Sequence, residues 1–202
     1  MAVDTRRRER SAHGVDLDAY AAFIDWVAEN PGDAAIEFRA SGATEDVANR
    51  TTATIADWGL GGGEMGESRD HTLEFGLPPE LEEAMGYLEP TDRYEAIEGA
   101  LAGLTACING TIAYNALREG IAVEEVSTNV RAPVDLRMLF GIHDTDRAEE
   151  MFDELRIDVD VTGTDLSDEE IERVETYYLR SPVYTLVTLS HPNEPRVTVH
   201  SS

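Results

Sequence analysis

Apolar positions along this chain change their spacing several times, and each change predicts an element. Between Asp16 and Asn30 they fall at Tyr20, Phe23, Ile24 and Val27, one side of an amphipathic helix that Pro31-Gly32 ends. Ala34 to Ala40 and Val47 to Trp58 alternate as two strands around a turn at Ser41-Gly42. The glycine-rich stretch Gly59 to Gly66 leads into a third strand, Arg69 to Gly76, and Pro78-Pro79 and Gly86 then bound a connection holding at most one helical turn.

The strongest helical signal follows. Asp92 with Glu95 forms an N-cap pair, Gly120 terminates, and Ala96 to Ala116 is almost entirely small or apolar. A helix apolar on nearly all sides belongs inside a protein. Strands are predicted from Ile121 to Val134 and from Leu155 to Val161. Ser167-Asp-Glu-Glu170 is a capping box opening a helix to Arg180, Ser181-Pro182 breaks it, a short helix runs from Val183 to Ser190, and a last strand covers Arg196 to Val199. Strands grouped before the long helix argue for an α+β fold with antiparallel sheet. Residues 1–33 form a basic tail and helix that extend a domain over 34–202.

Charge narrows the setting. The 202 residues carry 16 basic and 41 acidic side chains, for a net charge of −25, and every basic residue is arginine. Self-repulsion on this scale destabilises a compact state in dilute buffer, and about 1 M salt shortens the Debye length to roughly 3 Å and removes most of that cost. The composition fits the salt-rich cytoplasm of an extreme halophile. Nucleic-acid binding needs a basic face, and the one basic cluster, Arg6 to Arg10, lies in the tail. No apolar run is expected to reach the roughly 18 residues that span a bilayer, and the N-terminus lacks the apolar segment of a signal peptide. A single cysteine excludes an internal disulfide. These features together predict a cytoplasmic protein without a membrane or nucleic-acid partner.

Several motifs dissolve on inspection. Gly59-Leu-Gly61-Gly62-Gly63 resembles a phosphate loop, but it precedes a strand and carries glutamates and no lysine, so it reads as a hairpin connection. Asp158-Val-Asp160-Val-Thr162-Gly163 with Glu169 nearly fits a calcium loop, yet Ile157, Val159 and Val161 alternate as a strand. The histidines His13, His71, His143, His191 and His200 share no tight metal-ligand spacing. Asn49 and Asn109 match glycosylation sequons that carry no meaning in a cytoplasmic protein.

That leaves Cys107. A free cysteine packs as a small hydrophobe, so composition alone predicts an inert thiol. Reactivity would need an arginine or a helix N-terminus nearby, and Cys107 lies more than three turns into its helix.

Two segments add to this reading. They are the helix from Glu98 through Leu101, Cys107 and Ala116 to Gly120-Ile121, and Ser181-Pro-Val-Tyr184-Thr-Leu-Val-Thr-Leu189. With the strand His71-Thr-Leu-Glu-Phe75 they resemble the OsmC/Ohr family of osmotically inducible and organic-hydroperoxide-resistance proteins, over roughly Ile36 to Val199. In that family a central helix carries a reactive cysteine thirteen residues before a glycine, the spacing of Cys107 and Gly120. A second helix opens with Cys-Pro-Val, where this chain has Ser181-Pro182-Val183.

The resemblance implies an intertwined homodimer whose antiparallel sheets wrap long buried central helices. It also implies a thiol peroxidase acting on small organic hydroperoxides, with no bound cofactor. Cys107 would be the nucleophile, an arginine (Arg69 or Arg93) would stabilise its thiolate, and Glu98 would orient the arginine. With Ser181 at the resolving position no intramolecular disulfide can form, so an external thiol would be the reductant. The family glutamate lies ten residues before the cysteine, where this chain has Ile97. Glu98, one position nearer, falls on the face opposite Cys107 because nine residues turn an ideal helix through about 900°. Arg93, about 21 Å along the axis if it shares the helix, could reach only a partner's cysteine. These departures leave an alternative: a non-catalytic member of the fold that binds a small hydrophobic ligand at the dimer interface. A structural role in salt stress is a third.

Overall fold

The computed structural model describes residues 11–191 and 195–200. The basic tail containing Arg6 to Arg10 therefore lies outside the described residues. The chain packs as two compact units, Met1–Ala100 and Leu101–Ser202.

In the first unit β1 (Ser11–Ala12) and β2 (Val15–Asp16) form a small ladder. Helix α1 (Leu17–Glu29) follows, its N-terminus capped by Asp16, whose carboxylate accepts the Ala19 amide. No residue of α1 is buried; Phe23 and Trp26 stack on each other at its surface. Two three-stranded antiparallel sheets come next. One orders β3 (Ile36–Phe38), β6 (Trp58–Leu60) and β7 (Gly63–Met65), and the other β4 (Ser41–Thr44), β5 (Thr51–Ile55) and β8 (His71–Phe75). The predicted turn at Ser41-Gly42 is instead strand, paired with Thr54 and Ala53, and the chain reverses at 45–50, overlapping the start of the strand assigned to Val47–Trp58. Gly61 and Gly62, at φ +58° and +82°, make the two-residue turn between β6 and β7, a conformation that side chains resist. A short helix, α2 (Pro79–Ala84), completes this part.

Helix α3 (Ala96–Glu119) runs through the boundary between the units and ends at Gly120, φ +70°, with the Ile121 amide bonded back to the Ala116 carbonyl. Its start differs from the sequence reading: Glu95, not Asp92, caps it, the Glu95 carboxylate accepting the Ile97 amide. In the second unit Leu104, Ile108, Ile112 and Ala116, one residue per turn, form a buried stripe of α3. Against it pack the inward residues of β9 (Val123–Arg131) and β10 (Arg156–Gly163), an antiparallel pair whose alternate positions Ile157, Val159 and Val161 face the core. Val174 and Tyr177 close that core from α4 (Asp168–Val174) and a 3-10 turn, Tyr177–Arg180; a final helix, α5, spans Pro182–Thr188. The capping box at Ser167 and Glu170 is formed as predicted, although α4 stops at Val174. Residues 196–199 form no strand.

The long helix is not buried all round. Only the one stripe is enclosed, and Tyr114 on another face is 56% exposed. By length and composition alone α3 would suffice to cross a membrane, contrary to the reading that no apolar run reaches that length. Its buried stripe seats in the core of the second unit in the manner of a core helix.

Candidate functional site

Cys107 lies on α3 between the buried positions Leu104 and Ile108, and is itself half-buried. Three residues beyond Leu104 turn the helix through about 300°, which carries the thiol to the margin of the stripe. Two residues on, the Asn109 side chain accepts the Thr128 hydroxyl at 2.6 Å and ties α3 to β9. The thiol therefore sits on a helix fixed by packing and by a cross-link to the sheet, without being sealed in the core.

Ser181 belongs to the same unit and is fully buried. Its hydroxyl oxygen accepts the Tyr184 amide at 3.2 Å and so caps α5, with Pro182 at the first helical position. Glu98, in the first unit, also serves a helix end: its carboxylate accepts the Glu95 amide and completes the α3 cap. Nine residues separate it from Cys107 on one continuous helix, about 13 Å along the axis.

The two candidate arginines lie in the first unit. Arg69 is half-buried in the turn between β7 and β8, and its amide bonds to the Gly66 carbonyl. Arg93 donates to Glu45 at 2.6 Å, and Glu45 also accepts the Thr52 hydroxyl. Those bonds hold the Glu45 carboxyl below its usual range and raise Arg93 above its own. Arg93 and Glu98 line one polar hollow of about 650 Å³ with Thr72, Glu74 and Tyr94. The structure thus brings together two of the residues the sequence singled out.

Sequence reasoning missed the centre of the first unit. Arg50 and Glu82 form a buried pair: Nη2 reaches Oε2 at 2.6 Å and Nε reaches Oε1 at 3.2 Å. Arg50 also donates to the Glu89 carbonyl, and Glu82 accepts the Thr91 amide, so each charge has several partners. The Arg50 guanidinium holds the Glu82 carboxyl below its ordinary value, against the opposing effect of burial. Nothing at either position alone distinguishes it from the chain's other arginines and glutamates.

The calcium-loop reading is not realised. Asp158 and Asp160 stand on the exposed face of β10, and Asp158 pairs with Arg131. Among the described residues no group of three or more His, Cys, Asp or Glu side chains is arranged to hold a metal ion.

No family model matches the chain, and no curated protein is similar to it. Solved structures are. An OsmC-like protein from Mycoplasma pneumoniae is 14% identical, with a TM-score of 0.51 over 75% of this chain and 86% of that one. An OsmC-like protein of unknown function from Vibrio cholerae gives 14% identity and a TM-score of 0.44 over 75% and 94% of the two chains. The organic hydroperoxide resistance protein OhrB of Bacillus subtilis gives 15% and 0.40 over 75% and 89%. The mixed α/β architecture, with its antiparallel sheets and long helix, is the OsmC-like fold.

Proposed function

We propose that this protein is a one-cysteine thiol peroxidase that reduces organic hydroperoxides and works as a homodimer. The observation that carries this reading is the place of Cys107: on the long helix of an OsmC-like fold, at the edge of the buried stripe, where solvent and a small substrate can reach it. The Cys107 thiolate attacks the distal oxygen of the hydroperoxide; the O–O bond breaks, the alcohol leaves with a proton, and Cys107 becomes a sulfenic acid. With Ser181 in place of a second thiol, an external thiol condenses with the sulfenic acid and releases water. A second external thiol then frees Cys107 as a disulfide of the reductant forms.

A dimer is supported by surface left open in one chain. Among the described residues of the first unit Leu77 is the only buried apolar side chain, while Phe38 is 73% exposed and Ile36 49%. On α3 outside the stripe Tyr114 is likewise 56% exposed. Light scattering in high salt should give twice the chain mass.

The activity test is direct. Purified protein in high salt, mixed with cumene hydroperoxide and a sulfenic-acid trap, should gain one adduct at Cys107 and show turnover that depends on added thiol. Absence of both overturns the reading.

One observation favours the second reading. The second unit holds an apolar cleft of about 590 Å³, lined by Ile112, Ile157, Val159, Leu166, Tyr178 and Tyr184. Such a cleft suits a small hydrophobic ligand. Saturable binding of an apolar fluorophore that survives Cys107→Ala, in a protein that forms no sulfenic acid, would make ligand binding the function.

A further inference from the structure

We propose that Arg118, Arg173 and Arg180 form a binding site for a small oxyanion, the phosphate or carboxylate group of a small molecule. Elsewhere in the described residues seven of this acidic chain's arginines pair with carboxylate, Arg50 and Arg93 among them. Arg39 has three carboxylates within 4 Å (Glu37, Asp57 and Glu64), and Arg131, Arg137, Arg147 and Arg156 each have one of their own. At the C-terminal end of α3 the ratio is inverted, for three arginines share Glu119. Arg118 lies 2.6 Å from it, Arg173 3.5 Å and Arg180 3.8 Å, and among the described residues no other carboxylate comes within 4 Å of them. Three guanidinium charges against one carboxylate leave two positive charges unmatched, in a protein whose net charge is −25.

The hydrogen bonds show why those charges remain available. The Glu119 carboxylate is occupied by Arg118 on Oε1 and by the buried Tyr177 hydroxyl on Oε2, at 2.6 Å each. Arg173 is held near it without a side-chain hydrogen bond, and Arg180 donates only to Asn115. The Arg180 guanidinium lies over the Tyr177 ring, 5.2 Å from its centroid, which fixes the plane of its fork. Side-chain exposures of 42%, 45% and 49% leave the unused N–H groups open to solvent. Gathered, oriented and unspent guanidinium donors suit the paired oxygens of a phosphate or carboxylate.

Arg118 lies eleven residues beyond Cys107 on α3, about 16 Å along the axis, and the site stands whether or not that thiol is catalytic. Inorganic phosphate is titrated into the full-length protein by calorimetry at constant high potassium chloride, with acetate as a second arm. Phosphate should bind saturably, and Arg173→Gln with Arg180→Gln should weaken it about tenfold. Arg156→Gln, a charge change equal to that of Arg173→Gln alone but at an arginine paired with Glu154, should leave it unchanged. Displacement of phosphate by acetate assigns the site to carboxylates as well; no displacement restricts it to phosphate. Should the double variant fail to fold, Arg173→Gln alone, which removes no hydrogen bond, should still weaken binding about threefold. No saturable binding, or an equal loss in Arg156→Gln, overturns the proposal.

Discussion

The buried hydroxyl of Ser181 accepts the Tyr184 amide and caps α5, at the position where the family resemblance places a resolving thiol. The side chain is a structural acceptor, enclosed and already engaged. A hydroxyl satisfies the free amide of the first turn better than a thiol, which is a weak acceptor.

Ser181→Ala should therefore cost stability and leave chemistry at Cys107 alone. The expected loss is about 1 kcal/mol, the usual worth of such a cap, read from denaturant unfolding. Sulfenic-acid trapping at Cys107 should be unchanged. A slower adduct with undiminished stability would instead give Ser181 a role beside the thiol.

The Arg50–Glu82 pair should be the most sensitive point of the first unit. Removing either partner leaves the other charge buried and unpaired, so Arg50→Met or Glu82→Gln should lower the melting temperature by about 10 °C. Its pH dependence has a fixed sign. The Glu82 carboxyl is held below its ordinary value of 4.5 in the folded state. Its contribution is therefore complete above that value and is lost as pH falls through the lower, folded one. An acid melt of Glu82→Gln should show a shallower fall across this range than the parent protein.

What was legible in the sequence follows from how local the determining physics is. The long helix could be bounded at Gly120 because its stop is a backbone property of one residue, and the Ser167–Glu170 cap because both partners lie within one turn. Ser41-Gly42 looks like a turn, yet it is strand, paired with Thr54 and Ala53 through ladder contacts that only the fold creates, and a Cβ at Gly42 would lie 3.3 Å from the Thr51 methyl. The true reversal was hidden by Val47 and Ala48, apolar residues that the fold leaves exposed. Arg50 and Glu82 are 32 positions apart, and a pair of that kind exists only through tertiary structure. Cys107 was placed on the right helix, but its half-buried position depends on which side of α3 the β9–β10 sheet covers.

The hairpin between β6 and β7 should separate its two central glycines. Both have positive φ, but a Cβ on Gly61 would lie 2.8 Å from the Asp33 carbonyl oxygen, whereas one on Gly62 would meet nothing within 4 Å. Gly62→Ala should cost about 1 kcal/mol for the left-handed backbone, and Gly61→Ala roughly 2 kcal/mol or more because the clash adds to it. Urea midpoints of the two variants check the order. Equal costs would mean that the Asp33 segment moves aside freely.

Tyr177 sets the alkaline limit. Burial first, then donation to the Glu119 carboxylate, pushes its hydroxyl from 10 up to about 12. The folded state thus keeps a proton that the unfolded chain gives up. The stabilisation is complete below pH 10 and is lost as pH rises through the interval to about 12. Tyr177→Phe should flatten the alkaline fall in stability over this window, and a difference titration of phenolate absorbance against that variant should place the missing ionisation near its upper end. Glu119→Gln should bring the ionisation down only part of the way, because burial, the larger cause, remains. If Glu119→Gln restores the ordinary value completely, the carboxylate rather than burial governs this hydroxyl.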